Sequence, residues 1–306
     1  MIDILLATYN GARFLGEQLD SILNQTYQDF HVYIRDDGSS DRTLNVIDQY
    51  KRSNPKITLI TDDKKCGSAV SNFMELTRHA TSDYIMYCDQ DDYWLPTKIE
   101  HSLEAMLSVE KEIGRDKPVI VFGSYKPVDS ELRELPYDRS QTQEGAYLLN
   151  FSNLLVQNYV NGCLMMINRS LADKMGAYDK AILMHDWWAT LIAEGCGGRI
   201  KHVNEVMMLY RQHGSNVVGS VNVKSFRYRM TKFLDPEVKK ASAHYRSQAA
   251  LLMRRNGEYL TDRHRRELDV FLELYQKKKI GRVITLIRGN YLKSDFIRRM
   301  GQIWYI

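Results

Sequence analysis

YCDQDDYWLP, residues 87–96, places three carboxylates, Asp89, Asp91 and Asp92, within four positions, after an apolar run and before a proline that opens a helix. Taken alone, such a cluster also fits a solvated turn with a helix cap, because aspartate favours both. Its place among the elements decides between the two. Apolar runs at residues 2–7, 30–35, 57–61, 84–88 and 119–123 read as strands. They alternate with segments of helical spacing at 14–25, 42–52, 69–79 and 96–112; in the first, Leu15, Leu19, Ile22 and Leu23 fall on one face. This alternation predicts βαβ units, hence an α/β fold with a mostly parallel, Rossmann-like sheet flanked by helices.

Three polar clusters then fall at strand ends. Thr8, Tyr9 and Asn10 end the first strand, Asp36, Asp37 and Asp41 of RDDGSSD the second, and Asp89, Asp91 and Asp92 the fourth. Open parallel sheets bind ligands outside the carboxyl ends of their strands, so clusters converging on one edge predict a binding site there. Adjacent carboxylates repel one another and stay ionised at little cost only beside a cation. Hard oxygen ligands, with no C-x-x-C pair or paired histidines beside them, favour Mg²⁺ or Mn²⁺ over zinc. Magnesium is usually shared between carboxylates and substrate phosphates, which points to a phosphorylated substrate. Neither G-x-x-x-x-G-K-[ST] nor G-x-G-x-x-G is present, so a P-loop and a dinucleotide fold are excluded. A metal bridging a diphosphate leaving group is what remains.

The ordered set ATYNG, RDDGSSD and CDQDDYWLP resembles inverting family 2 glycosyltransferases of the GT-A fold, over roughly residues 1–220. CGSAVSNF (66–73), NGCLMMINRSL (161–171), MHDWW (184–188) and LYRQHGSNVVG (209–219) are similar to bacterial rhamnosyltransferases of cell-wall and surface polysaccharide synthesis, which use dTDP-L-rhamnose. The resemblance implies that Tyr9 lies against the pyrimidine beside Thr8 and Asn10, and that Asp36, with Asp37 next to it, reads the base N3–H. It places Asn72 near the nucleotide, Asp89 on the ribose, Asp91 on the metal, and Asp92 as a neighbouring contact. Arg211 and His213 fall near the diphosphate and metal, although a lone histidine is equally read as structural. Asp186 becomes the general base, and Asn161, Trp187 and Trp188 the acceptor side. Many relatives carry Glu-Asp where this chain has His185-Asp186, which leaves Asp186 as the one carboxylate there. Physical reasoning agrees: a carboxylate opening a helix between tryptophans is partly desolvated, which raises its basicity. The tryptophans themselves suit sugar stacking or core packing.

At 306 residues the chain can bury a sizeable core. Four scattered cysteines without a C-x-x-C pair argue against zinc or a disulfide framework and suit a reducing compartment. MIDILLATYN reads as a first strand with no signal-peptide pattern, and no run of about 18 apolar residues predicts a membrane span. After 123 come a polar stretch at 126–150, a short apolar segment at 163–167, the helix begun by Asp186 and an antiparallel strand at 206–210. Beyond about 223 everything reads as charged helix, so the expected domains are 1–222 and 223–306. Residues 276–306 carry eight cations against Asp295 alone, a net +7 in a chain of net +4. Cations mixed with Ile, Trp and Tyr fit an anionic membrane surface, with nucleic acid, an oligomer contact or plain solvent as alternatives.

The expected protein is a metal-dependent transferase of L-rhamnose from dTDP-L-rhamnose to a saccharide or polyprenyl-linked acceptor. It would sit in the cytoplasm on the inner membrane face, bind no nucleic acid, and could form a homo-oligomer. A UDP-sugar donor (glucose, galactose or GlcNAc) and a non-catalytic, membrane-associated assembly subunit are the alternatives. An intact Asp91 and Asp186 speak against the latter.

Overall fold

The structure is a computed structural model that describes residues 1–62, 65–136, 150–213 and 236–306. Strands β1 (Ile2–Thr8), β2 (Phe30–Asp36), β3 (Ile57–Ile60) and β4 (Tyr84–Cys88) alternate with helices α1 (Leu15–Leu23), α2 (Thr43–Ser53) and α3 (Ala69–His79). Then follow β5 (Tyr93–Trp94), α4 (Lys98–Ile113), β6 (Val119–Val128), α5 (Phe151–Leu154), a 3₁₀ turn at Gly162–Leu164, β7 (Met165–Asn168), α6 (Arg169–Met175), α7 (His185–Gly195) and β8 (Arg199–Arg211). Four helices close the chain: α8 (Pro236–Asn256), α9 (Asp262–Leu274), α10 (Lys279–Arg288) and α11 (Phe296–Tyr305).

The eight strands form one sheet in the order β3-β2-β1-β4-β7-β6-β8-β5. Its first half is parallel, as the alternation requires: β1 pairs parallel with both β2 and β4, and β2 with β3. Central β1 is apolar and buried almost throughout, because both faces are covered by helices. The second half is mixed. β7 runs antiparallel to β4 and β6, β6 runs parallel to β8, and β8 runs antiparallel to β5.

The expectation for 206–210 therefore needs correction. β8 begins seven residues earlier, and it is antiparallel only to β5. Its first half, RIKHVNE, is charged and largely exposed, so no apolar run announced it. β6 likewise continues past Gly123 to Val128. The irregular stretch expected to 150 falls partly outside the described residues, as does the boundary at 222/223. The C-terminal helices are packed onto the sheet domain. Asn153 Nδ2 donates to the carbonyls of Asn290 and Leu292, both at 2.9 Å, and Trp187 stands 5.5 Å from Tyr245 between ring centroids. Leu252, Phe271 and Leu286 belong to the same apolar core cluster as β1 and β4.

Candidate active site

The carboxyl ends of β1, β2 and β4 meet as expected, and hydrogen bonds between their loops lock them together. Gln90, between Asp89 and Asp91, makes a two-way amide clasp with Tyr9: Tyr9 N donates to Gln90 Oε1 at 2.8 Å, and Gln90 Nε2 donates to Tyr9 O at 3.0 Å. A Cβ on Gly11 would lie 2.2 Å from Gln90 Oε1, so the clasp requires glycine there. Asn10, at φ 52°, bridges to the β2 loop, donating its N–H to Ser39 Oγ and accepting from Ser40 N, both at 2.8 Å. Tyr9 itself projects 58% exposed beyond the strand, in position to stack on a planar ring.

The β2 acids hold loops. Asp36 accepts from Thr8 Oγ1 (2.8 Å), Ser39 Oγ (2.5 Å), Gly38 N (3.0 Å) and Ser39 N (2.8 Å). These occupy the roughly four acceptor sites of a carboxylate, so reading a base would require exchanging one of them. Asp37 accepts from Cys66 N and Gly67 N at 2.5 and 2.8 Å, tying down the loop before α3. Asn72 is buried, with its amide committed to Arg35: Oδ1 accepts from Nη1 at 2.9 Å and Nδ2 donates to the Arg35 carbonyl at 3.1 Å. Arg35 in turn clamps Asp62 with Nε and Nη2 at 3.0 and 2.7 Å.

The β4 acids divide by burial. Asp91 keeps partial exposure and meets His213, Nε2 to Oδ2 at 3.0 Å. Burial raises its carboxyl, opposed by His213. Asp89 is raised too, by burial first and then by the charges of Asp91 and Asp186. Asp92, expected as a neighbouring contact, lies behind Asp91. It is fully buried, Oδ1 accepts from Arg211 N at 3.1 Å, and Oδ2 has no hydrogen-bond partner. Arg211 lies against the same loop. Its buried guanidinium donates to the Asp91 carbonyl at 2.8 Å, to Glu17 Oε2 at 2.6 Å and to the Ser130 carbonyl, while lying 4.5 Å over Phe14. These bonds brace the acidic loop. Beneath them Lys98 is also fully buried, donating to the Cys163 carbonyl at 2.5 Å and standing 3.8 Å over the Trp94 ring. Lys98 went unnoticed in the sequence because a lysine in the first turn of an amphipathic helix reads as solvated.

Asp186 lies in the first turn of α7, whose N-cap Met184 supplies no side-chain bond. Its carboxylate accepts from Gly162 N at 3.0 Å and from its neighbour Trp187 N at 2.6 Å. Burial pushes its carboxyl up to about 6, against those backbone bonds. The Asp89 charge is near enough to sense Asp186, and His185 packs 4.8 Å from Tyr87 of β4, so the start of α7 lies beside the end of β4. His185 is buried between Phe73 (4.3 Å) and Tyr87 (4.8 Å), with neither ring nitrogen hydrogen-bonded. Burial lowers its pKa to about 3, so it stays neutral beside Asp186. Asn161, half-buried, precedes the Gly162 amide that holds Asp186. Of the two roles open to Trp187 and Trp188, the structure shows core packing. Trp188 is fully buried with its indole donating to the Met175 carbonyl at 2.8 Å, and Trp187, 8% exposed, donates to Leu154 O at 2.7 Å. Both hold α7 in the core.

The donor set fits a divalent cation. Asp91 Oδ2 and His213 Nε2 lie 3.0 Å apart, close enough to serve as two ligands of one ion, and the buried Asp92 Oδ2 has no hydrogen-bond partner. Among the described residues, Asp89, Asp92 and Cys163 also offer ligand atoms within 4.8 Å of one another. The fold thus brings a cysteine to the acids that sequence distance concealed. Burial raises the Cys163 thiol well above its usual range, keeping it protonated and a poor ligand, so oxygen-preferring Mn²⁺ or Mg²⁺ still suits the site. A second group, Asp62, Glu75 and His79, has its aspartate already neutralised by Arg35. The segment following His213 lies outside the described residues.

These acids stand at the carboxyl ends of a half-parallel sheet, and comparison with known proteins gives the family. The chain belongs to Glycosyl transferase family 2, whose pattern it matches over residues 3–176. It is 28% identical over 230 residues to the dTDP-rhamnosyl transferase RfbG of Shigella flexneri, covering 70% of this chain and 74% of that one. An uncharacterized glycosyltransferase of Rickettsia typhi is 25% identical over 318 residues, covering 98% and 92%. Two solved structures share its GT-A fold. S. aureus TarS 1–349 in complex with UDP-GlcNAc has a TM-score of 0.57 at 14% identity, covering 99% of this chain and 88% of that one. The mannosyltransferase PcManGT from Pyrobaculum calidifontis, in complex with GDP-Man and Mn²⁺, has a TM-score of 0.57 at 16% identity, covering 98% and 77%.

Proposed function

We propose that this glycosyltransferase moves L-rhamnose from dTDP-L-rhamnose, with inversion, to a saccharide hydroxyl on a lipid-linked acceptor at the inner membrane face, in cell-wall or surface polysaccharide synthesis. The observation that carries the chemistry is Asp186: a buried carboxylate fixed by two backbone N–H groups, pushed up to about 6 by burial, on a helix whose start packs beside the end of β4. Such a group is ionised at neutral pH yet basic enough to take a proton from an attacking hydroxyl. Tyr9 is exposed to stack on the thymine, within the frame set by Thr8, Asn10, Asp36 and Asp37. Asp89 reaches the ribose, and Asp91 with His213 would hold Mn²⁺ or Mg²⁺. When bound, that cation offsets the negative charge growing on the departing diphosphate. Arg211, Asn72 and Asp92 keep these groups in place. Asn161, beside Gly162, offers an amide to the acceptor. Rhamnose is supported by the likeness to RfbG together with the CGSAVSNF and MHDWW motifs.

A product-linked assay across dTDP- and UDP-sugars with Mn²⁺ tests this. Transfer is expected from dTDP-L-rhamnose at least about tenfold more efficiently than from UDP-glucose, UDP-galactose or UDP-GlcNAc, the scale of a few specific contacts. Efficient transfer from a UDP-sugar with none from dTDP-rhamnose would overturn the donor assignment.

A further inference from the structure

The last two helices each carry more apolar surface than the core uses. On α10, Val283 and Leu286 face the core, while Ile280 (78% exposed), Ile284 and Ile287 form a second row at i, i+4 and i+7. On α11, Ile303 packs inward, while Phe296 (70% exposed), Met300 and Trp304 (63% exposed) form an outer row spaced by four. The two helices touch at their ends: Arg282 Nη1 donates to the Ile306 carbonyl at 3.0 Å, and the Lys279 ammonium lies 5.6 Å over the Trp304 ring. The start of α10 therefore meets the end of α11, so the two outer rows lie on neighbouring helices. Lys277, Lys278, Lys279, Arg288 and Arg298 are exposed around them.

From this we infer that the outer rows of α10 and α11 form an insertion surface for an anionic lipid bilayer, with the flanking cations on the headgroups. It rests on the proposed function only for its purpose, which is to bring the cleft to a lipid-linked acceptor. Rows of Ile, Phe, Met and Trp edged by Lys and Arg have the make-up of an interfacial helix pair, with the aromatic ring at headgroup depth. Charge selects among occupants. A symmetric contact with a second copy would set this +7 segment against itself. Nucleic acid would engage the cations and leave six exposed apolar side chains without a role. An anionic bilayer matches both features. No helix among the described residues is long and apolar enough to cross a membrane, so the attachment lies in the surface plane.

Tryptophan fluorescence of the full chain tests this, because Trp94, Trp187 and Trp188 are buried and Trp304 is exposed. With vesicles of phosphatidylglycerol and phosphatidylcholine, the emission should shift to the blue and the protein co-sediment. Both effects should fade in 0.5 M salt as the attraction is screened. An Ile284→Ser/Phe296→Ser variant should lose at least about tenfold in vesicle affinity. The same variant should transfer sugar to a soluble acceptor, without vesicles, as the parent does. Absence of binding to anionic vesicles, or equal binding to purely neutral ones, would overturn the inference. So would a vesicle-independent dimer, seen by ultracentrifugation, that the two substitutions abolish. Failure of transfer from every nucleotide sugar would instead strike the proposed function and leave the lipid result standing.

Discussion

Gly162 donates its backbone N–H to Asp186 Oδ2 at 3.0 Å, and a Cβ on Gly162 would stand 2.3 Å from His185 Nε2. The absence of a side chain at 162 thus lets the 3₁₀ turn approach α7 and aim the carboxylate. Gly162→Ala is expected to lower kcat at least about tenfold while leaving donor Kd nearly unchanged, because a misplaced base costs rate before it costs donor binding. Steady-state kinetics with calorimetric donor titration checks this. Unchanged kcat would mean that the bond does not orient the base.

The elevated pKa of Asp186 sets a pH dependence. The base must be ionised, so kcat/KM is expected to fall on the acid side of about pH 6. Stability moves the other way. Native Asp186 holds its proton up to about 6 against an ordinary value of 3.8, so the folded state binds more protons in that interval. Stability contributed by this group is then present below pH 4 and lost as pH rises through 6. Replacing it with asparagine removes the loss. From pH 4 to pH 8 the stability difference between Asp186→Asn and the parent should shift in the variant's favour by up to about 3 kcal/mol. Denaturant unfolding at the two pH values measures it; a constant difference would contradict the burial argument.

For the cation, excess EDTA is expected to abolish transfer and Mn²⁺ to restore it. His213→Ala should raise the Mn²⁺ concentration for half-maximal rate about tenfold or more, and Asp91→Ala should prevent restoration. Full turnover in EDTA would remove the metal from the account.

Arg211 is expected to act through structure. Arg211→Lys keeps the charge but cannot serve Glu17, Ser130 and the Asp91 carbonyl together. A loss of about 2 kcal/mol in unfolding free energy is expected, alongside a higher Mn²⁺ requirement. A variant with parental stability and a weakened donor Kd would return Arg211 to the diphosphate.

The parallel half of the sheet was legible because β1 to β4 are mostly apolar runs separated by amphipathic helices. The antiparallel half was not. β7 is four residues long and wholly buried, so neither its direction nor its place between β4 and β6 leaves a pattern in sequence. Among the site residues, positions at strand ends were foreseeable, as was Asp186 opening a helix. Orientation was not. Asp91 and Asp92 are adjacent in sequence, yet one meets His213 at the cleft and the other is sealed beneath Arg211. Which of two neighbouring carboxylates turns inward depends on β8, more than 100 residues away. Trp187 and Trp188 were ambiguous for the same reason: an indole suits a sugar or a core until its N–H finds a buried carbonyl.

Asp186→Asn under donor saturation tests the central claim most directly. With dTDP-L-rhamnose, Mn²⁺ and acceptor, kcat should fall by at least about 10², the scale of a lost general base, while donor Kd stays within about threefold. Turnover equal to the parent enzyme's would contradict the assignment of Asp186 as the base.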